Sequence, residues 1–325
     1  MVINWGIIGC GDVNEVKSGE AFNKVEDSNL IAVMRRNGKK AADFAQRHNV
    51  PFWYDNANEL INNPTINAIY ISTPPIFHEE FTLAAIRAGK NVYVEKPMST
   101  SVESCIRMKN AADENNCKLT VALYRRQLPL YIYVKNLLES NELGAIRYVR
   151  LTILQPVKPT FVAESETFWR VDPTIAGGGL FYDLAPHQLD LVYHFFGKPV
   201  QYFGIAKNQS KQYAAEDIVT GIMLLQNNVF FNGMWCFNVT EGLQNDLFEI
   251  EGEKGRISFH LYGSKVELYR NGKAETLSFN HPYHVQQPMI EKVVDYFSGN
   301  GINPCSAADA IESMKIMENF VYGKK

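Results

Sequence analysis

An α/β domain built on a parallel sheet, followed by an α+β domain built on a mostly antiparallel one, is the architecture this sequence predicts. Three observations carry that expectation. Over residues 1–122, short β-branched runs alternate with stretches of helical periodicity, the rhythm of βαβ units whose helices cover a parallel sheet. Over residues 123–325 the rhythm gives way to alternating strands punctuated by turn residues, the pattern of antiparallel pairing. A chain of 325 residues, 46% hydrophobic and 21% charged, is also large enough to bury two cores.

In order along the first domain, the apolar runs predict strands over 2–8, 30–34, 68–72, 91–95 and 119–122. Between them, "GKKAADFAQRHN" sets Ala41, Phe44, Ala45 and His48 at helical spacing, and "FHEEFTLAAIRAGK" does the same with Phe81, Ala84, Ala85 and Ala88. Gly89 marks the residue past that helix. "SVESCIRMKNAADENN" opens on a capping pattern, with Ser101 or Thr100 ahead of Glu103 and Ser104. After the expected boundary at 122–126 come one helix, "LPLYIYVKNLLESNEL", a strand, "IRYVRLTIL", an irregular Pro-containing loop and a helix near 184–196. The strands that follow, "EDIVTGIMLLQ", "VFFNGMWCFNV", "DLFEIEGEKGRISFH" and "KVELYRNGKAETLSF", are joined by turn signals such as Gln226-Asn227-Asn228 and Asn271-Gly272.

Composition excludes several classes of function. A formal charge of -3 and a pI near 6.2 leave no basic footprint for nucleic acid, so no such partner is expected. No apolar run approaches the roughly 18 to 20 residues that span a bilayer, so no membrane partner is expected either. The five cysteines are scattered without C-x-x-C spacing and no charged and apolar leader precedes the first strand, so a reducing cytoplasm is the expected compartment. No Cys and His cluster suggests a metal.

The stretch "WGIIGCGDVNEVKSGEAF" carries the first chemical signal. Gly9 and Gly11, with Asp12 and Val13 after them, follow an apolar strand and open a helical segment, where bare backbone amides can approach a pyrophosphate. The third glycine of G-x-G-x-x-G is replaced by Asn14, a position that serves helix–strand packing more than phosphate contact. At the end of the second strand, where an acid would bind a ribose 2′-hydroxyl, the sequence reads "VMRRNGKK". Arg35 and Arg36 suit a 2′-phosphate in charge and donor geometry, against the alternative of a solvated basic turn. NADP(H) is therefore expected over NAD(H), which remains possible. "ISTPPIFH" brings Ser72, Thr73, Pro74 and His78 to another strand end bordering the same site, although a histidine there also caps or packs.

Two further motifs bear titratable groups. "YVEKPMS" ends a strand with Glu95, Lys96 and Pro97 at the carboxyl edge of the sheet, where open α/β folds bind ligands. Lys96 there is open to partial desolvation, which suits an ammonium to proton transfer, or else to a salt bridge with Glu95. "AGGGLFYDLAPHQLDLVYHFFGKP" sets Asp183, His187, Asp190 and His194 on one helical face, after Gly177, Gly178 and Gly179. That face is either a site, with the glycines letting backbone pass near a ligand, or a solvent face with Asp183 as N-cap and Pro186 in the first turn.

Taken together, the G-x-G loop, the later "EKP" and the "GGG…D-x-x-x-H-x-x-D" helix resemble the glucose-fructose oxidoreductase / inositol dehydrogenase / rhizopine catabolism (Gfo/Idh/MocA) family over essentially the whole chain. The resemblance implies an N-terminal Rossmann domain and an open-faced C-terminal sheet forming a homodimer or homotetramer interface. It also implies hydride transfer between nicotinamide and a sugar or polyol. It places Lys96 at the catalytic lysine, His187 at the motif histidine with Asp183 beside it, and Asp190 at the motif's end. Lys96 would stabilise a developing alkoxide and His187, oriented by Asp183, would relay the proton. Arg125 and Arg126 in "LYRRQ", with Trp169 and Arg170 in "FWRVD", are the expected substrate-orienting groups, Trp169 being equally open to loop packing. The dibasic pair departs from the acidic residue of NAD-using members. Two other readings share these motifs: a glycosidase that recycles a tightly held nicotinamide, and a non-catalytic sensor, against which the intact Lys96 and His187 argue.

Overall fold

The computed structural model describes residues 1–159 and 168–323. Residues 160–167, within the expected Pro-containing loop, lie outside the described residues. The first unit runs β1 (Ile3–Ile8), β2 (Ser28–Met34), α1 (Gly38–Arg47), β3 (Phe52–Tyr54), α2 (Ala57–Ile61), β4 (Ala68–Ile71), α3 (His78–Arg87), β5 (Asn91–Val94), α4 (Val102–Glu114) and β6 (Leu119–Val121). Its six strands pair in the order β3-β2-β1-β4-β5-β6, every pair parallel. Apolar runs such as Ala68–Ile71 are buried end to end because helices cover both faces. Ser101, not Thr100, caps α4, its hydroxyl accepting from the amide of Ser104 at 3.2 Å. Gly89 stands just past α3 with φ +71°, the left-handed conformation that favours glycine.

Two local features differ from the sequence expectation. The segment after β1 is not a regular α-helix: Asn14–Ser18 is π-helical, with the Gly19 amide donating to the Asn14 carbonyl five residues back, and a 3-10 turn, Glu20–Lys24, follows. Edge strand β3, only three residues long with Phe52 and Trp53 exposed, carries no alternation for a sequence reading to find.

The second unit comprises α5 (Pro129–Glu139), β7 (Ile146–Leu154), α6 (Pro173–Ala176), α7 (Leu180–Phe196), β8 (Gln201–Lys207), β9 (Ile218–Leu224), β10 (Phe230–Cys236), β11 (Asn245–Gly252), β12 (Gly255–His260), β13 (Lys265–Arg270), β14 (Lys273–Ser278), α8 (Gln287–Ser298) and α9 (Ala307–Tyr322). Its eight strands are ordered β14-β13-β12-β11-β7-β10-β9-β8, antiparallel except for β10 against β7. Helices α7 and α9 cover one face. Phe320 of α9 lies directly over Gly204 and Gly221, where any Cβ would collide with its backbone or ring. Truncating Phe320 to alanine is expected to cost about 3–5 kcal/mol through the cavity left behind. The opposite face is open and carries Phe203, Ile205, Ile222 and Phe230, each more than half exposed.

The last two helices return to the first unit. Phe297 of α8 packs on Trp5 with ring centroids 5.6 Å apart, and the Val121 amide donates to the Cys305 carbonyl at the edge of β6. No helix among the described residues is long and apolar enough to cross a membrane.

Candidate active site

Strands β1 and β4 are neighbours although the chain order reverses between them, so the loops at their carboxyl ends part and leave a crevice. A cleft of about 590 Å³ opens there and continues to the face of α7. Gly9 turns at φ +95°, and a Cβ on it would press on the Thr73 amide at 2.9 Å. A Cβ on Gly11 would meet nothing nearer than 3.9 Å, so the bare backbone fronts open space. The amides of Asp12 and Val13 donate to no backbone carbonyl among the described residues, the arrangement that cradles a pyrophosphate. Asn14 does what a glycine cannot: its amide group donates to the Gly9 carbonyl (3.1 Å) and the Ser72 hydroxyl (2.8 Å), and it accepts from Ser18. The loop is thereby tied to the end of β4. Arg35, Arg36, Thr73 and Pro74 line the same end, with the exposed Arg36 guanidinium 5.4 Å from the centre of the Phe77 ring.

At the other end Lys96 reaches from the end of β5 to α7. Its ammonium donates to Oδ1 of Asp183 and to the Asp183 backbone carbonyl, both at 2.7 Å. Oδ2 of Asp183 faces Nε of Arg170 at 3.3 Å, and Arg170 lies 4.5 Å from the Trp169 ring centre. Burial alone would push the Asp183 carboxyl up, but Lys96 and Arg170 outweigh it and hold the group below its ordinary value. His187 is buried edge-on to Tyr124 at 5.0 Å. Burial first, then the charges of Lys96, Arg125 and Lys17, drive it well below the ordinary histidine value, so the imidazole is neutral at neutral pH. The Glu95 carboxylate accepts from Tyr70 (2.6 Å), Gln286 (2.7 Å) and the Lys96 amide.

Several expectations are corrected by this geometry. Lys96 pairs with Asp183 rather than Glu95, because Tyr70 and Gln286 already occupy the Glu95 carboxylate. Asp183 does not orient His187: its two oxygens are taken by Lys96 and Arg170, and Nδ1 of His187 is buried without a hydrogen-bond partner among the described residues. Helix α7 starts at Leu180 with Gly179 as N-cap, so Asp183 is not the cap and Pro186 lies inside the helix. The helical face is no solvent face, since His187 and Asp190 are both buried. Asp190 instead grips Arg126 through two nitrogens (2.6 and 2.9 Å), which removes Arg126 from the cleft that Arg125 lines. His194 sits at the far end of α7, where burial, Arg126 and Lys135 push it down to about 3, and it does not line the cleft. His78 is fully buried with its ring nitrogens 2.7 and 3.0 Å from the Thr73 and Pro97 carbonyls, so it braces the two loops without reaching the cofactor cleft. The three glycines do not front the cleft either; they fit against Thr100, Tyr182 and Ala215. Lys17, Lys40, Phe77, Tyr124, Tyr262 and Gln286 also line the cleft; the first four lie within stretches the sequence marks but at positions its motifs give no role, and Tyr262 and Gln286 lie outside them.

The glycine cradle, free amides and neighbouring cations fit a nicotinamide dinucleotide, and the Lys96, Asp183 and His187 cluster supplies groups for moving a proton at a carbinol or carbonyl oxygen. The fold and cleft thus define a nicotinamide-dependent oxidoreductase. The model of the oxidoreductase family with an NAD-binding Rossmann fold matches residues 3–123, and that of the GFO/IDH/MocA C-terminal domain matches 131–258. Oxidoreductase P35 of Formosa agariphila is 47% identical over 98% of both chains. The scyllo-inositol 2-dehydrogenase (NADP(+)) IolW of Bacillus subtilis is 30% identical over 61% of this chain and 52% of its own. Among solved structures, aldose-aldose oxidoreductase from Caulobacter crescentus, complexed with glycerol, superposes with a TM-score of 0.86 at 20% identity, covering 98% of this chain and 96% of its own. This chain belongs to the Gfo/Idh/MocA family of NAD(P)-binding oxidoreductases.

Proposed function

We propose that the protein is an NADP(H)-dependent oxidoreductase that transfers hydride between nicotinamide and a sugar, a polyol or a related carbonyl compound. The observation that carries this reading is the single cleft in which the glycine loop and Arg36 stand at one end and the Lys96–Asp183 pair with neutral His187 at the other. A bound nicotinamide accepts or supplies the hydride. The chain's own groups handle the proton: neutral His187 takes it from the substrate hydroxyl, and the Lys96 ammonium stabilises the oxygen as it becomes an alkoxide. Asp183 holds Lys96 in place. In the reducing direction the same groups polarise a carbonyl and return the proton. Arg125, Trp169 and Arg170 position the substrate.

Residues 1–122 form the nucleotide-binding unit in this reading, and 123–325 the unit for substrate and assembly. The open apolar face of the second sheet, with Phe203, Ile222 and Phe230, suits the interface of a cytoplasmic homodimer or homotetramer. The relative IolW is named as an NADP(+)-dependent scyllo-inositol dehydrogenase, which accords with both cofactor and substrate class. No observation favours the cofactor-recycling glycosidase over this reading.

Titration of the purified protein with NADPH and NADH, followed by reduced-nicotinamide fluorescence, tests the cofactor assignment. Affinity for NADPH at least about tenfold higher is expected from one charge-assisted contact to the 2′-phosphate. Equal affinities for the two, or for NADPH in wild type and Arg36→Asp, overturn it.

A further inference from the structure

The substrate end of the cleft holds more positive charge than the acids beside it use. Four cations line it, Lys17, Lys96, Arg125 and Arg170, and two acids, Glu95 and Asp183. Glu95 is engaged by Tyr70 and Gln286, and Asp183 by Lys96 and Arg170, so neither serves the remaining two cations. Arg125 is buried, 7% exposed, yet meets no carboxylate within ion-pair distance among the described residues. Its Nη1 donates to the Tyr131 hydroxyl and the Leu261 carbonyl, and the guanidinium rests among the rings of Tyr124, Tyr131 and Tyr262. These contacts fix the group but bring no negative charge. Its Nε and Nη2, the edge that binds an oxyanion through two parallel hydrogen bonds, carry no hydrogen bond among the described residues. Lys17 enters from the π-helical segment under the glycine loop and likewise has no ion-pair partner among the described residues. A buried cation without a counter-charge is costly to the fold, and a cleft that keeps one is prepared for an anion arriving with its ligand.

We propose that the substrate is an anionic sugar, one that carries a carboxylate or a phosphate ester, whose oxyanion is bound by Lys17 and Arg125 while its reacting hydroxyl or carbonyl lies against Lys96 and His187. The proposal rests on the hydride-transfer reading and names the substrate class for it. The electrostatics of His187 agree with it. After burial, the charges that push that imidazole down are the cations Lys96, Arg125 and Lys17. A bound oxyanion offsets them and raises the basicity of His187 in the ternary complex, when it has to accept a proton. The cofactor's own phosphates would not answer this need, because the glycine loop and the amides of Asp12 and Val13 would hold them.

The experiment is calorimetric titration of the NADPH-saturated protein with matched sets of a neutral hexose, its hexuronate and its 6-phosphate, in gluco, galacto and manno series, with turnover measured on the same panel. At least one anionic member is expected to bind ten- to a hundredfold more tightly than its neutral parent, the effect of charge-assisted hydrogen bonds. Lys17→Met is expected to shrink that preference about tenfold and Lys17→Arg to restore it, with the NADPH affinity of each variant confirming an intact fold. Whichever of carboxylate or phosphate is favoured names the group. Neutral sugars binding as tightly as their anions, no anion binding below about 10 mM, or a preference unmoved by Lys17→Met would each overturn the proposal. Turnover of neutral sugars without an anion preference overturns it while leaving hydride transfer standing; selective anion binding with no turnover of any member does the reverse.

Discussion

The two ends of the cleft hold positive charge in opposite ways. At the proposed nucleotide end Arg36 is exposed, next to Arg35 in the chain, with its guanidinium over the Phe77 ring. At the substrate end Lys96, Arg125 and Arg170 come from three separate segments, are largely buried, and are each fixed by hydrogen bonds or ion pairs. An exposed cation acts through charge alone and its removal leaves nothing stranded. A buried one is tied to partners, so its removal abandons a carboxylate or an oriented dipole in a low-dielectric site. The first kind of end can exchange specificity with little effect on the fold; the second cannot.

The sharpest test of that contrast is Lys96→Ala. Loss of the cation at the developing oxygen, with Asp183 left to Arg170 alone, is expected to lower kcat about 10³-fold while the nicotinamide affinity changes little. Wild-type turnover in that variant would break the comparison at its strongest point. Arg36→Asp comes next: NADPH affinity is expected to fall about tenfold or more with NADH unaffected and the thermal midpoint unchanged. A large drop in midpoint would show that the exposed arginine also supports the fold.

A smaller effect separates the ends by pH. Burial holds His187 below the ordinary value of 6.5, so at lower pH the unfolded chain binds a proton that the folded one does not. Stability therefore falls as the pH drops below about 6.5, by roughly 1.4 kcal/mol per pH unit for this one residue. Urea midpoints for wild type and His187→Gln at pH 7.0 and pH 5.5 read the difference; a slope unchanged by the substitution would place the proton elsewhere, for instance at His194, held down to about 3. The smallest effect belongs to Asn14→Gly. Restoring the third glycine removes the bonds to the Gly9 carbonyl and the Ser72 hydroxyl, expected to cost about 1 kcal/mol of stability and a few-fold in cofactor affinity. A variant that binds nicotinamide more tightly would mean that the clasp resists the bound geometry.

Much of the proposed nucleotide end of the cleft was legible in the sequence because it is local. Gly9, Gly11, Arg35, Arg36, Ser72, Thr73 and Pro74 all sit at the ends of strands marked by continuous apolar runs, and all line the cleft. His78 shared that position and still failed, since Thr73 and Pro97 take both of its ring nitrogens. At the substrate end the residues were found but their partners were not. Helical spacing put Asp183 and His187 on one face, yet ion pairs from β5 and from the turn at Trp169 took the carboxylate, and Arg126 took Asp190.

By itself the sequence determined the two sheets, the order of most of their strands along the chain and the cofactor loop, because hydrophobic period, caps and turn residues act between neighbours a few positions apart. Only the tertiary structure decided which acid neutralises which base and which charges remain over. Lys96 and Asp183 are 87 residues apart, and Lys17 and Arg125 act electrostatically on the same imidazole from distant stretches of the chain. Such pairings follow from how the strand ends and the returning helices come together in space, and no local pattern encodes a contact whose energy depends on the dielectric that the whole fold creates.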